Sequence, residues 1–129
     1  MNAFSRRSWD NLHSCALELQ SLFTEVLRQV DCTIIEGHRG EARQNELFHQ
    51  GKTQLRWPDS AHNSEPSQAV DVIAYPIDWK DRERQTHFAG YVRGIAWARH
   101  IPLRWGGDWD SDFQVADNVF DDLVHFELK

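Results

Sequence analysis

The segment Ala69-Val70-Asp71-Val72-Ile73-Ala74-Tyr75 decides the reading of this chain. It is a short apolar, β-branched run closed by Pro76, too short for a helix of ordinary length, and it reads as a buried strand. Its centre carries an aspartate. A lone carboxylate among Val70, Val72 and Ile73 would lose several kcal/mol to desolvation unless it is paired or bound to a cation. The one segment therefore predicts both a sheet and a chemical site on it.

Working outward, Leu12, Cys15, Ala16, Leu19, Leu22, Phe23, Val26 and Val30 recur at helical spacing. With Ser8 as N-cap they predict one long amphipathic helix over about 8–30. Cys32-Thr33-Ile34-Ile35, stopped by Gly37, predicts a strand, and Glu41 to Gln50 a second helix ended by Gly51 at C′. Residues 52–68 hold Pro58, Asp59, Ser60, Asn63, Ser64, Pro66 and Ser67 without a sustained period, which marks a loop. Asp81 to His100 predicts a third helix. Ile101 to Trp105 and Leu123 to Leu128 predict two more strands, separated by a Gly/Asp-rich loop. The expected fold is a single α+β domain over 1–129, with helices packed around a small, mostly antiparallel sheet. The N-terminal helix would precede a metal-site core spanning about 33–128.

Composition narrows the function classes. The 129 residues include 6 Trp and 7 Phe and are 40% hydrophobic, enough for a real core. The net charge of -6 argues against a duplex nucleic-acid binder, which needs a basic face to displace counterions. It gives no help in adhering to an anionic cell surface either. Cys15 and Cys32 are isolated and read as reduced core residues rather than a disulfide. No apolar run approaches a membrane span, and no signal-type h-region follows Arg6 and Arg7. The expectation is a monomer made in the cytoplasm, without stable membrane insertion.

Two more polar residues sit where burial is expected. His125 stands between Val124 and Phe126 in the last strand, and His62 opens the Asn/Ser/Pro loop nine residues before Asp71. Two imidazoles and one carboxylate suit zinc, with a fourth position left for water. Spacing alone leaves other readings open: a hydrogen-bonded Asp-His core pair, or a solvated loop histidine.

Four ordered motifs add a resemblance. The run Ser60-Ala61-His62-Asn63-Ser64-Glu65-Pro66-Ser67-Gln68-Ala69-Val70-Asp71-Val72 resembles the S-x-H-N-x-x-P-S-x-A-V-D-V segment of phage-type zinc peptidases. These belong with the D-alanyl-D-alanine carboxypeptidases and the L-alanyl-D-glutamate endolysins. Gly37-His38-Arg39 with Gln44, Leu47 and Gly51 is similar to their G-x-R...Q...L...G segment. Arg104-Trp105-Gly106-Gly107-Asp108-Trp109 and Asp122-Leu123-Val124-His125-Phe126-Glu127-Leu128 are similar to their R-W-G-G-D-W and D-x-x-H-F-E-L ends. The resemblance covers about residues 8–129. Where relatives often carry proline before the last histidine, this chain has Val124.

The resemblance implies that His62, Asp71 and His125 hold Zn2+ and that Asp122 is the catalytic acid/base, as a metal-activated water requires. A regular strand would put Asp122 and His125 on opposite faces, so Asp122 is expected in an irregular turn. Asp121 is expected to be a turn carboxylate facing water. Arg39 would stabilise an oxyanion or grip a substrate carboxylate. Ser60 is expected to support His62, Glu127 to stand behind His125, and Trp105 and Trp109 to be core or cleft wall. The implied partner is the peptide stem of bacterial peptidoglycan, cut by an endolysin released through a holin-type pore. The alternatives are a D-alanyl-D-alanine carboxypeptidase and a metal-bearing binding module without catalysis.

Overall fold

A computed structural model of the chain describes residues 1–116 and 120–129, and the elements below are those of the described residues. Helices α1 (Arg6–His13) and α2 (Leu17–Gln29) lead into strand β1 (Cys32–Glu36). Helix α3 (Glu41–His49) and a single 3-10 turn (Ala61–Asn63) precede β2 (Ala69–Ala74). Helix α4 (Arg82–Ala98) and strands β3 (Leu103–Trp105) and β4 (His125–Leu128) follow. The strands form one sheet in the order β1-β2-β4-β3, and every neighbouring pair is antiparallel. The expected α+β architecture is the observed one. Part of the Gly/Asp-rich loop before β4, residues 117–119, lies outside the described residues.

Strand alternation gives the sheet two unlike faces. Val70, Val72 and Ala74 of β2, Ile34 and Cys32 of β1 and Phe126 of β4 face the core. There they meet Leu19, Leu22, Phe23 and Val26 of α2 and Phe88, Ala89, Val92 and Ala96 of α4. Phe126 packs edge-on against Phe23 and Phe88, with ring centroids 5.3 and 6.3 Å away. The opposite face carries Asp71 and, across the β2–β4 register, His125. Cys15 and Cys32 are unpaired thiols within the core, and burial pushes both up to about 12. That suits inert core residues.

The single N-terminal helix expected over 8–30 is in fact two. The apolar spacing runs unbroken through residues 12–19, so periodicity cannot reveal the interruption. Local hydrogen bonding makes it: Ser14 Oγ donates to the Asn11 carbonyl at 2.6 Å and accepts from the His38 amide at 2.9 Å. Serine offers the backbone this kind of alternative to the helix ladder. The freed backbone then pairs with the loop before β2: Ser67 N donates to Ser14 O, and Ala16 N donates to Ser67 O, both at 2.9 Å. The N-cap is Ser5 rather than Ser8. Ser8 is buried, and its hydroxyl accepts from the Ile34 amide of β1. Helix α3 ends as expected, with Gly51 at φ +74 and the paired Gly51 N→Phe48 O and Lys52 N→Leu47 O bonds of a Schellman turn.

Gly37 is where α1 and β1 meet. A Cβ there would overlap Asn11 O, Ser14 Oγ and Cys15 Sγ. Gly37→Ala should therefore destabilise the protein by about 1–3 kcal/mol as an overpacked site. Gly90→Ala, in an open stretch of α4, should instead gain up to about 1 kcal/mol from helix propensity. Urea unfolding of the two variants side by side measures both; equal effects would show that the α1–β1 contact is looser than described.

Candidate metal centre

The open face of the sheet brings the three sequence-predicted ligands together. Asp71 and His125 are directly opposed in the β2–β4 register, so their side chains leave the sheet on the same side. His62 arrives from the 3-10 turn, which Ser60 and Asn63 cap reciprocally. Ser60 Oγ accepts from the His62 amide, so the serine fixes the backbone of this histidine. His62 Nε2 lies 3.2 Å from Asp71 Oδ1 and 3.3 Å from His125 Nδ1. His125 Nδ1 lies 3.3 Å from the same Asp71 oxygen. All three side chains are buried.

Each converging side chain is held from behind. The second nitrogen of His62, Nδ1, is 2.7 Å from the Gly37 carbonyl, which can only accept; Nδ1 therefore carries the proton and Nε2 faces the centre. Asp71 Oδ2 accepts from Arg39 at 3.1 Å, leaving Oδ1 for the centre. His125 Nε2 is 2.7 Å from Glu127 Oε1. Arg39 is itself buried, with Nε on Glu36 and NH1 on Gln44, and its amide donates to the His62 carbonyl.

The electrostatics ask for positive charge at the meeting point. Burial would raise the Asp71 carboxyl, but the imidazoles of His62 and His125 outweigh it and hold that carboxyl well below the usual range. Burial would lower His125, yet hydrogen bonds to Asp71 and Glu127 push it up to about 9. A proton or a cation meets that demand equally. Two imidazole nitrogens and a carboxylate oxygen, all within 4.8 Å of one another, form a group that can hold a metal ion. The donor types and the partner behind each one fit zinc.

Asp122 sits in the irregular turn expected of it. Its carbonyl accepts from the His125 amide at 3.1 Å, and its amide donates to Gly106 O at 2.9 Å. Gly106 has to be glycine, because a Cβ there would overlap the Asp122 backbone. Burial pushes the Asp122 carboxyl up to about 6, with Asp71 adding to the shift against His125, His62 and Arg39. Asp121 is exposed, as expected of a turn carboxylate facing water, and its Oδ2 lies 2.8 Å from Arg82 of α4.

A cavity of about 430 Å³ opens over the centre. Arg39, Asp122, His125 and Glu127 line it, with Trp109 and Phe120 on one wall and Lys52 to Leu55 on another. Trp109 fulfils the cleft-wall expectation; its ring is 5.3 Å from His125 and its Nε1 donates to Phe120 O. Trp105 is core. The sequence offers no role for Glu36, which grips both Arg39 and Arg43, and marks Gln44 only as a motif position. Gln44 accepts from Arg39 and Asn63 and donates to Leu55 O. Neither Glu36, whose direction depends on the bulge in β1, nor the Gly37 carbonyl carried a signal in the sequence.

Comparison with known proteins shows the family. The family model for phage L-alanyl-D-glutamate peptidases matches residues 1–129. Among solved structures, the chain is similar to the Serratia marcescens L-Ala D-Glu endopeptidase ChiX, at 29% identity and a TM-score of 0.77. The match covers 99% of this chain and 91% of that one.

Arg39 is a buried guanidinium paired with both buried Asp71 and half-buried Glu36. Arg39→Met should cost about 3–5 kcal/mol, because it leaves buried charge uncompensated. Chemical denaturation measures it; a loss under about 1 kcal/mol, the range of an exposed pair, would mean that Asp71 does not rely on the guanidinium.

Proposed function

Because the chain belongs to the phage L-alanyl-D-glutamate peptidase family, and is thus a peptidase of bacterial peptidoglycan, we propose that it cuts the stem between L-alanine and D-glutamate as a zinc enzyme. His62, Asp71 and His125 hold the ion in this reading, and Asp122 is the general base and acid. The observation that carries it is the convergence of His62 Nε2, His125 Nδ1 and Asp71 Oδ1 at the floor of a cleft that Asp122 also lines.

When bound, zinc supplies Lewis acidity, polarising the scissile carbonyl and making water nucleophilic near neutral pH. The chain's own residues do the rest. Asp122, at about 6, is ionised at neutral pH and close enough to neutrality to return a proton readily. It takes the proton of the attacking water and delivers it to the leaving amine of D-glutamate. Arg39 engages three of its five N–H donors inside the protein, and the other two serve an oxygen of the substrate. The Trp109–Phe120 wall and the Lys52–Leu55 wall exclude water and align the stem along the cleft.

The enzyme acts on the cell wall as a monomer, reaching it after holin-type release. Among the described residues no helix is long and apolar enough to cross a membrane.

Purified protein should carry close to one zinc per chain. His62→Ala should lower occupancy sharply, since one of three ligands is gone. Elemental analysis decides this, and full metal in His62→Ala would rule out the ligand assignment.

Digested wall should yield stem peptides with new D-glutamate amino termini, read by mass spectrometry; release of D-alanine alone would assign a carboxypeptidase. In the same assay Asp122→Asn should lose ~10²–10⁴ in rate at unchanged zinc content. Asp121→Asn, which breaks only a partly exposed pair with Arg82, should stay within about threefold, a cost of roughly 0–1 kcal/mol. Equal, mild effects would refute Asp122 as the base.

A further inference from the structure

The same face of the sheet carries a second pair that the reaction as described does not use. Arg104 of β3 and Glu127 of β4 are opposed in register, and Glu127 lies two residues beyond His125, so all three leave the sheet on one side. Glu127 Oε1 is 2.7 Å from His125 Nε2, and Oε2 is 3.6 Å from Arg104 NH1. The Arg104 Nε is buried without a hydrogen-bond partner among the described residues. At 3.6 Å the guanidinium lies beyond hydrogen-bond distance of Glu127, so its contribution here is charge beside that carboxylate.

We propose that Glu127, backed by Arg104, is a positioning residue that sets the tautomer of His125, placing the proton on Nε2 and the lone pair on Nδ1. The inference rests on the ligand reading proposed above and adds to it the reason that Nδ1 is the nitrogen presented. An imidazole has two chemically similar nitrogens, and the hydrogen bond made by one decides which of them is free to ligate. A carboxylate oxygen can only accept, so it requires N–H at Nε2. His62 reaches the same outcome with the opposite nitrogen, since the Gly37 carbonyl takes its Nδ1–H and leaves Nε2 free. The two imidazoles thus enter the centre by different nitrogens, each selected by the acceptor behind it. On His62 the acceptor is backbone and cannot be mutated away. On His125 it is a side chain, so the role can be tested directly.

The test is zinc affinity, measured by competition with a chromophoric chelator, together with the ¹⁵N spectrum of His125 in zinc-loaded protein. Glu127→Ala and Glu127→Leu, the latter keeping bulk without an acceptor, should bind zinc about 10–100-fold more weakly. Their His125 should lose the single pattern of protonated Nε2 and ligating Nδ1. Glu127→Gln, whose amide oxygen still accepts, should restore that pattern and stay within about threefold of the parent affinity. If Glu127→Leu or Glu127→Ala binds zinc like the parent with an unchanged His125 spectrum, the proposal is overturned while the ligand reading stands. If the parent chain binds no zinc, both fall.

Discussion

A carboxylate placed in the middle of an apolar strand is the constraint on which the rest of this molecule turns. Asp71 is flanked by Val70 and Val72, which the core requires, and it is itself buried. An ionised carboxylate survives there only with compensation on every side. Arg39 supplies a cation to one oxygen, while His62 and His125 supply imidazoles to the other. Most conspicuous features outside the core follow from meeting that need. Glu36 and Gln44 hold the guanidinium, the 3-10 turn delivers one imidazole, and the β2–β4 register delivers the other.

Division of labour between the two faces of the sheet makes this tolerable in a chain of 129 residues. One face is apolar and buries the aromatic contacts of Phe126 against α2 and α4. The other carries a line of charges running from Arg104 through Glu127, His125 and Asp71 to Arg39. Because successive residues of a strand point to opposite faces, stability and chemistry are interleaved along the same few residues. Val70 and Phe126 belong to the core, while Asp71 and His125, their immediate neighbours, belong to the site. A slip of one residue in register would exchange the two sets.

That interleaving is also why so much could be read from sequence. A polar residue interrupting an apolar strand is conspicuous, so Asp71 and His125 stand out, and the ordered motifs add His62, Arg39 and Asp122. Strand and helix types followed from periodicity, and Gly51 announced the end of α3. Features that depend on side chain meeting distant backbone were illegible. The break between α1 and α2 lies inside an unbroken apolar pattern, and its cause is a set of contacts with His38 and Ser67. The pairing of exposed Asp121 with Arg82 had no signal because Arg82 lies on a different element. The reach of Glu36 to Arg39 and Arg43 needed the bulge in β1 before its direction could be known.

The Gly37 carbonyl has a consequence for anyone who would transplant this centre. Three side chains and their spacing can be copied onto another antiparallel sheet, but the acceptor that orients His62 belongs to the main chain. Its position is set by a residue without a Cβ, wedged against Asn11, Ser14 and Cys15. A graft that carries the ligands and omits the end of α1 and the break after it would inherit an imidazole free to rotate. The portable unit is therefore the ligand set together with the N-terminal helical pair, and inheritance, whether by design or by recombination, should be sought in blocks of that size.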